Sequence, residues 1–203
     1  MSRSIKTNIR LQGEKKGAWD LSRLRLAFVD DYRAYHPIMR ALLYGLNIRS
    51  FQFYYDAERA LADIERNPPD FLVVDDSIKP FDGVEMCARL RGGGPSVRFM
   101  PILLITSLPH VSLVERARDA GAHAVLAKPM SLKSLYSRIT MILRERRPFI
   151  ETDEYFGPDR RRRDMPYDGP NRRKAADVAT GSAAPEEDPQ GTQGDVEAQS
   201  DAA

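Results

Sequence analysis

The alternation of short apolar runs with amphipathic segments is the feature that most restricts what this chain can fold into. Five apolar, β-favouring runs alternate with five segments whose apolar residues recur every three or four positions. The runs are Leu24 to Val29, Arg49 to Tyr54, Phe71 to Asp75, Met100 to Ile105 and Ala124 to Ala127. The helical segments are Pro37 to Leu46, Ala57 to Arg66, Asp82 to Arg91, Leu113 to Ala120 and Leu132 to Arg144. Near-continuous apolar strands are typical of a sheet buried on both faces, so this order predicts parallel βαβ units in a three-layer α/β sandwich.

Composition divides the chain into three regions. Residues 1–23 form an N-terminal extension without an apolar stretch of secretory-signal length, and residues 24–147 carry the alternating pattern. After Arg147 the apolar periodicity stops, and Gly, Pro, Ala and charged residues dominate, which predicts a disordered tail over 148–203. No apolar run approaches the roughly 20 residues that cross a bilayer, so we expect a cytoplasmic protein with one folded domain.

Composition also excludes some kinds of site. Cys87 is the only cysteine, which excludes an internal disulfide and a cysteine-cluster metal site, and its helical spacing predicts a small core residue. The three histidines are not spaced as a metal cluster. The formal net charge of +2 gives no overall bias toward nucleic acid, so any such contact must come from a local cluster.

Polar side chains stand at the carboxyl ends of most of the predicted strands. They are Asp30 and Asp31 after the first, Asp75 and Asp76 at the third, Thr106 at the fourth and Lys128 after the fifth. Because these ends meet at one edge of a parallel sheet, where open α/β sheets bind ligands, we expect the side chains to lie close together. Clustered carboxylates repel one another and favour a cation, and oxygen-only ligands beside a phosphoryl group favour Mg2+. The pattern therefore predicts a magnesium site at which a carboxylate, an ammonium and a hydroxyl handle a phosphoryl group.

At these positions the chain resembles the response-regulator receiver family of two-component signalling. The matching segments are Val29 to Asp31, Pro69 to Asp76 with the later Asp82 and Gly83, Pro101 to Ser107, and Ala120 to Pro129. The resemblance covers about residues 24–144 and implies a flavodoxin-like (βα)5 fold with a five-stranded parallel sheet. It also implies phosphoryl transfer to an aspartate from a sensor histidine kinase or a histidine phosphotransfer protein, followed by slow self-catalysed hydrolysis. Whether phosphorylation makes the domain dimerise stays an open alternative.

The resemblance implies a role for each of these positions. Asp75 is the phosphoacceptor, and its catalytic neighbours are Thr106 and Lys128. The Mg2+ ligands are Asp31, Asp30 directly or through water, Asp75, and the backbone carbonyl of Ser77. The acceptor itself has an alternative: the apolar strand and the later Asp-Gly pair fit Asp75, whereas proline spacing alone fits Asp76. If Asp75 is the acceptor, strand alternation points Asp76 to the other side of the sheet end.

Three residues depart from the family pattern. Pro80 lies five residues after Asp75, one more than usual, which leaves the loop geometry undetermined. Val125 stands where many receivers carry an aromatic switch residue, so the coupled rotation of a ring and a hydroxyl is in doubt. Leu108 is apolar where other receivers often carry a polar group that influences water access, which suggests slow dephosphorylation.

The predicted tail contains a short repeat rich in arginine. Residues 155–162 read Tyr, Phe, Gly, Pro, Asp and three Arg, and residues 167–174 repeat this pattern with two Arg and a Lys. The segment Arg160 to Lys174 could contact nucleic acid, an anionic membrane or an acidic protein, or it could be a solvated disordered tail. Interspersed Asp159, Asp164 and Asp168 weaken the nucleic-acid interpretation.

Several functions compete on these observations. We favour a stand-alone receiver that signals by protein contact and is no enzyme beyond its self-catalysed phosphorylation and hydrolysis; its cognate kinase and output partner stay unidentified. A receiver-fold adaptor whose basic tail binds nucleic acid or membrane is the alternative. A Mg-dependent phosphohydrolase would carry its nucleophile in an Asp-x-Asp motif after the first strand and its acidic pair last, which is the opposite of the order here. An unphosphorylated adaptor would not need the complete acidic site.

Overall fold

A computed structural model describes residues 14–15, 18–144, 148–152 and 155–159. Two short strands, β1 (Glu14–Lys15) and β2 (Ala18–Trp19), form an antiparallel pair. The strands of the main sheet are β3 (Arg25–Val29), β4 (Ser50–Tyr54), β5 (Phe71–Asp75), β6 (Ile102–Thr106) and β7 (Ala124–Ala127). The helices are α1 (Tyr35–Gly45), α2 (Ala57–Arg66), α3 (Gly83–Gly92), α4 (Pro95–Arg98), α5 (Val111–Asp119) and α6 (Leu132–Arg144).

The main sheet confirms the predicted fold. All of its strand pairs are parallel, and the strand order is β4-β3-β5-β6-β7, which is the flavodoxin-like order. The predicted strands and helices are present with ends shifted by a few residues. One helix was not predicted: α4 forms where the sequence has a Gly-Gly-Gly-Pro turn, and Pro95 occupies its first turn, where the missing backbone donor has no intrahelical partner.

Strand alternation divides the core into two layers. On one face of the sheet, Ala27 and Val29 pack with residues of α2, α3 and α5. On the other face, Leu26 and Phe28 pack with residues of α1 and α6. Cys87 lies in the first layer with no exposed surface, and burial raises the pKa of its thiol to about 12, as expected of a core residue without nucleophilic function. The three-layer sandwich is therefore confirmed.

The Asp82-Gly83 pair after β5 has a structural reason. The carboxylate of Asp82 accepts the backbone N–H of Glu85 at 2.7 Å and so caps the start of α3. A Cβ atom on Gly83 would collide with the backbone carbonyl of Asp75, so only glycine lets α3 begin this close to the end of β5. The pair fixes the position of the strand end that carries the acidic site.

The predicted disordered tail is wrong for its first residues. Two strands, β8 (Phe149–Thr152) and β9 (Tyr155–Pro158), form an antiparallel hairpin. Phe149 is 1% exposed and packs edge-on against Phe99, while the guanidinium of Arg98 lies 3.7 Å from the ring centroid of Phe156. Arg98 also pairs with Glu151 at 3.0 Å. The rest of the tail, including Arg160 to Lys174, lies outside the described residues, as does most of the N-terminal extension.

The hairpin covers a buried arginine. Arg91 is 4% exposed, and its guanidinium donates to the carbonyl of Gly121 at 3.0 and 2.8 Å and to that of Arg98 at 3.1 Å. The ring of Phe149 lies 5.3 Å from the same group. Burial lowers the pKa of Arg91 to about 10, which leaves it charged at neutral pH and dependent on these carbonyl contacts.

Within the part of the chain that the structure describes, no helix combines the length and the apolar character that crossing a membrane requires.

Candidate functional site

The carboxyl ends of four neighbouring strands bring the predicted polar residues to one edge of the sheet. Asp30 directly follows β3, Asp75 ends β5, Thr106 ends β6 and Lys128 directly follows β7. The backbone N–H of Asp30 donates to Tyr54 at 3.0 Å and that of Lys128 to Thr106 at 2.7 Å. These bonds extend the sheet ladder by one residue, so the sheet positions the backbone of Asp30 and of Lys128.

Lys128 joins two of the carboxylates. Its Nζ lies 2.8 Å from Oδ2 of Asp30 and 2.6 Å from Oδ1 of Asp75. The same ammonium lies 4.6 Å above the ring of Tyr35. Asp30 is fully buried and the Lys128 side chain is only 10% exposed, so both ion pairs lie largely out of water. Lys128 and Asp75, which the sequence places at the ends of neighbouring parts of the sheet, are thus in direct contact.

The pKa values of Asp30 and Lys128 are both raised, but for different reasons. Burial raises the pKa of Asp30, although the hydrogen bonds from Lys128 and from the backbone of Tyr32 lower it. Burial alone would lower the pKa of Lys128, but the hydrogen bonds and charges of Asp30 and Asp75 raise it above its ordinary value. The lysine is therefore held as an ammonium beside a carboxyl group that burial disfavours as an anion.

Three carboxylates meet around a common point. Asp30, Asp31 and Asp75 each offer an oxygen, and these oxygens lie within 4.8 Å of one another. Asp30 and Asp75 are buried, whereas Asp31 is exposed, so the cluster opens to solvent on one side. One ammonium does not neutralise three carboxylates, and the excess negative charge on oxygen ligands fits a divalent cation such as Mg2+. The trio matches three of the predicted ligands.

Ser77, the fourth predicted ligand, stands beside this trio. Its backbone N–H donates to Oδ2 of Asp75 at 3.2 Å. This bond orients the second oxygen of Asp75 while Lys128 holds the first. The loop that carries Ser77 is thereby tied to the carboxylate of Asp75.

Thr106 contacts Asp76 rather than Asp75. Its hydroxyl donates to Oδ2 of Asp76 at 3.0 Å and accepts the backbone N–H of Leu108 at 3.0 Å. Asp76 also accepts the hydroxyl of Ser77 at 3.3 Å. The two adjacent aspartates are thus held by different partners, Asp75 by the lysine and Asp76 by two hydroxyls, as the alternation of side chains at the end of β5 predicts.

Asp76→Asn is expected to remove a pH-dependent loss of stability in Mg-free buffer. Burial raises the pKa of Asp76 above its ordinary 3.8, and the charge of Asp75 raises it further, although the Thr106 hydroxyl lowers it. The folded carboxyl therefore keeps its proton to a higher pH than the unfolded one, and stability falls as the pH rises through the folded-state pKa. Urea denaturation from below pH 3.8 upward should show the wild type losing stability relative to the variant. Parallel curves would contradict this pKa direction.

Tyr35 and His36, which the sequence did not indicate as site residues, also belong to the site. Nε2 of His36 lies 2.6 Å from the backbone carbonyl of Asp30, which only accepts, so this nitrogen carries the proton. The ring of Tyr35 lies beneath the Lys128 ammonium. Both residues occupy the first turn of α1, five and six positions after Asp30, and that spacing is the one feature by which the sequence could have pointed to them.

Val125 and Leu108 are two of the residues that depart from the family pattern. Val125 is half-buried and packs against the core layer of α2, α3 and α5. Leu108 is 75% exposed, and its contact with the site is the backbone bond to Thr106. Neither position supplies an aromatic ring or a polar side chain near the carboxylates.

A family model and curated proteins align with this domain. The model of the response regulator receiver domain matches residues 26–140. The response regulator MprA of Mycobacterium tuberculosis is 37% identical over 125 residues, which cover 62% of this chain and 53% of that protein. MprA of Mycobacterium leprae is also 37% identical over 125 residues, with the same coverage. The chain therefore spans about half the length of the curated relatives it matches.

Solved structures share the fold. A response regulator of Chloroflexus aurantiacus superposes with a TM-score of 0.56 at 30% identity, covering 60% of this chain and 98% of that one. The receiver domain of a sensor histidine kinase from Pseudomonas aeruginosa gives a TM-score of 0.53 at 25% identity, covering 60% and 95%. That structure has a magnesium ion coordinated in the active site cleft.

Proposed function

The chain belongs to the response regulator receiver domain family, and on that premise we propose that it is a signalling switch that accepts a phosphoryl group on Asp75. One observation carries the assignment: of the two adjacent aspartates, Asp75 is the one that pairs with Lys128 and lies in the carboxylate trio. Asp76 is engaged by the Thr106 hydroxyl instead. Phosphoryl labelling from a small-molecule donor tests the assignment.

The proposed reaction is an in-line displacement at phosphorus. A carboxylate oxygen of Asp75 attacks the phosphoryl group of a phosphohistidine, the new P–O bond forms, and the P–N bond breaks with its electrons going to the imidazole. Lys128 holds Oδ1 of Asp75 before attack and is placed to pair with the phosphoryl oxygens afterwards. Mg2+ at Asp30, Asp31, Asp75 and the Ser77 carbonyl would offset the repulsion between a carboxylate and an incoming phosphoryl group.

Thr106 supports a proposed switching step. Its hydroxyl donates to Asp76 in the described state, and a phosphoryl oxygen on Asp75 would be a competing charged acceptor. Transfer of this hydrogen bond would free Asp76 and move the loop at Leu108, whose backbone depends on the same hydroxyl. Because Val125 brings no ring, this loop is the element that we propose to carry the signal.

Mg2+ is expected to stabilise the domain through the carboxylate trio. Binding to the folded state alone adds about 2.7 kcal/mol to the free energy of unfolding at a metal concentration of one hundred times Kd. Asp31→Asn should weaken this effect at least about tenfold in Kd, because it removes a charged oxygen ligand. Thermal unfolding with increasing MgCl2 measures it, and Asp119→Asn, which changes an exposed carboxylate on α5, is the matched control. Equal metal dependence in wild type and Asp31→Asn would rule out the proposed ligand.

The proposed partners follow from this chemistry. A sensor histidine kinase or histidine phosphotransfer protein supplies the phosphoryl group in the cytoplasm, where we place the domain. Receiver domains are signalling modules, and we propose no turnover of an external phosphoester. Release of phosphate from excess phosphoester by the wild type, but not by Asp75→Asn, would overturn this. The exposed Leu108 supports slow loss of the phosphoryl group, and a half-life of seconds would count against it.

A second proposal concerns the basic repeat. The backbone N–H of Asp159 donates to Pro148 at 2.9 Å, which closes the base of the hairpin immediately before Arg160. Asp159, the residue that precedes this segment in the sequence, is therefore tied to the hairpin, and we propose that the arginine-rich segment binds polyanions. Deletion of Arg160 to Lys174, which spares the hairpin, should abolish salt-dependent retention on immobilised nucleic acid or anionic vesicles. Retention that persists after this deletion would exclude the segment as the binding element.

A further inference from the structure

A long stretch around α1 and β4 carries positive charge without any acidic residue. Residues 32–55 contain Arg33, Arg40 and Arg49 and neither Asp nor Glu. This stretch includes all of α1, the turn after it and all of β4, which is one of the two edge strands of the main sheet. No function proposed above uses these arginines.

Four rings of the same stretch lie in a row. Phe51 and Phe53 stack at 5.2 Å between centroids, Tyr44 meets Phe51 edge-on at 5.5 Å, and Tyr55 continues the row through His36. Phe51 and Phe53 stand at alternate positions of β4 and so share one face, on which side chains recur at about 6.6 Å, and Tyr55 directly follows the strand.

Each arginine lies over these rings. Arg33 is 4.9 Å from the Tyr55 centroid, Arg40 is 4.7 Å from Phe53 and 5.4 Å from Phe51, and Arg49 is 5.1 Å from Tyr44. Arg49 is fixed further by a 2.9 Å bond to the carbonyl of Tyr44. We call Arg33, Arg40, Arg49 and the four rings the arginine–aromatic row.

The row presents unneutralised charge to solvent. All three arginines are exposed, and within the described ranges none of them forms an ion pair with a carboxylate. Elsewhere on the domain, exposed arginines such as Arg25, Arg89 and Arg116 each pair with an aspartate or glutamate. A guanidinium above a ring keeps N–H groups that can bind a carboxylate through two parallel bonds, although Nη1 of Arg49 already donates to the carbonyl of Tyr44.

The arrangement favours acidic protein over nucleic acid or membrane. Guanidinium groups and His36 occupy ring faces on which bases would otherwise stack, and stacking supplies much of the affinity for single strands. The same coverage keeps the rings from inserting into a bilayer. An extended peptide, in contrast, repeats its side chains on one face at the spacing of the rings in β4, and β4 has no described strand on its outer side.

We propose that the arginine–aromatic row is a docking surface for an extended acidic segment of a partner protein, with carboxylates at alternate positions. Each carboxylate takes the N–H edge of one stacked arginine, and the rings hold the guanidinium groups in place before binding. The segment lies along β4, at the edge of the sheet next to β3.

Fluorescence anisotropy on the full chain tests the proposal. The probe is a labelled peptide of repeated Glu-Ser, compared with a Gln-Ser peptide of equal length and with oligothymidylate. We expect the wild type to bind the Glu-Ser peptide more tightly than the Gln-Ser peptide, with affinity that falls as salt rises. Arg40→Gln should weaken binding about fivefold, and combined replacement of Arg33, Arg40 and Arg49 by Gln should abolish it. Arg23→Gln, which removes an exposed arginine outside the row, should bind like the wild type.

The alternative outcomes are decisive. Equal peptide binding by the wild type and the triple variant would assign binding to other cations, such as the basic repeat, and overturn the proposal. Tighter, row-dependent binding of oligothymidylate would replace the acidic partner with nucleic acid. Circular dichroism and phosphoryl labelling of each variant establish that the fold is intact. A triple variant that keeps both and loses the peptide supports the docking surface.

Discussion

Asp75→Asn is expected to abolish phosphoryl labelling of this domain by acetyl phosphate or phosphoramidate with Mg2+. The amide cannot form the acyl phosphate, and it removes the charge that pairs with Lys128 at 2.6 Å. It also takes one oxygen ligand from the carboxylate trio. We expect labelling to fall below detection, since this replaces the attacking group itself. Labelling is measured by intact-protein mass spectrometry, in which the phosphoryl group adds a defined mass.

Asp76→Asn is the matched control, because it makes the same chemical change one residue away. Its amide oxygen can still accept the Thr106 hydroxyl, so the loop should keep its place. The variant should label to the same final extent as the wild type. Full labelling of Asp75→Asn together with loss of labelling in Asp76→Asn would move the acceptor to Asp76 and refute the assignment.

Phe149→Ala is expected to destabilise the domain by about 3 kcal/mol, the lower end of the range for truncating a buried phenylalanine. Its ring is 1% exposed and contacts Phe99, Phe156 and the buried guanidinium of Arg91. Removing it opens a cavity beside a buried charged group whose hydrogen-bond partners are two backbone carbonyls and the His123 ring, so water would reach Arg91. Urea denaturation followed by circular dichroism gives the change in the free energy of unfolding.

Ile150→Ala controls for strand propensity, because Ile150 is the next residue of β8 and is only half-buried. Its effect should be clearly smaller than that of Phe149→Ala. A loss of less than about 0.5 kcal/mol for Phe149→Ala, which is the size of an ordinary surface substitution, would show that the hairpin does not contribute to the stability of the domain. In that case the folded domain would end at Arg147, as the sequence predicted.

The elements of the domain could be predicted because their causes are local. A strand such as Ile102–Thr106 has four consecutive buried apolar residues before its terminal threonine, and a helix such as α2 places Ala57, Ala60 and Ile64 on one face. These patterns depend on residues close in sequence, and parallel connection follows from the alternation of strand and helix. The position of Asp75, Thr106 and Lys128 at one edge follows from the same topology.

The hairpin could not be predicted, since its cause is not local. Phe149 and Phe156 belong to a polar, glycine- and proline-containing stretch, and their burial depends on Phe99 and Arg98, about fifty residues earlier in the chain. Two aromatic residues, Phe149 and Phe156, are too few to produce the apolar periodicity from which a strand is predicted. Only the folded domain provides the surface that these rings cover.

The acidic site divides in the same way. The sequence by itself determined that carboxylates, a hydroxyl and a lysine would follow neighbouring strands, because a parallel sheet aligns its carboxyl ends whatever the packing of its helices. Tertiary structure alone decided which oxygen meets which partner: Lys128 joins Asp30 to Asp75, and Thr106 turns to Asp76. The topology determines at which strand end each side chain lies. Whether two side chains form a hydrogen bond depends on a displacement of less than about one ångström. Displacements of that size are set by packing contacts between residues far apart in the chain.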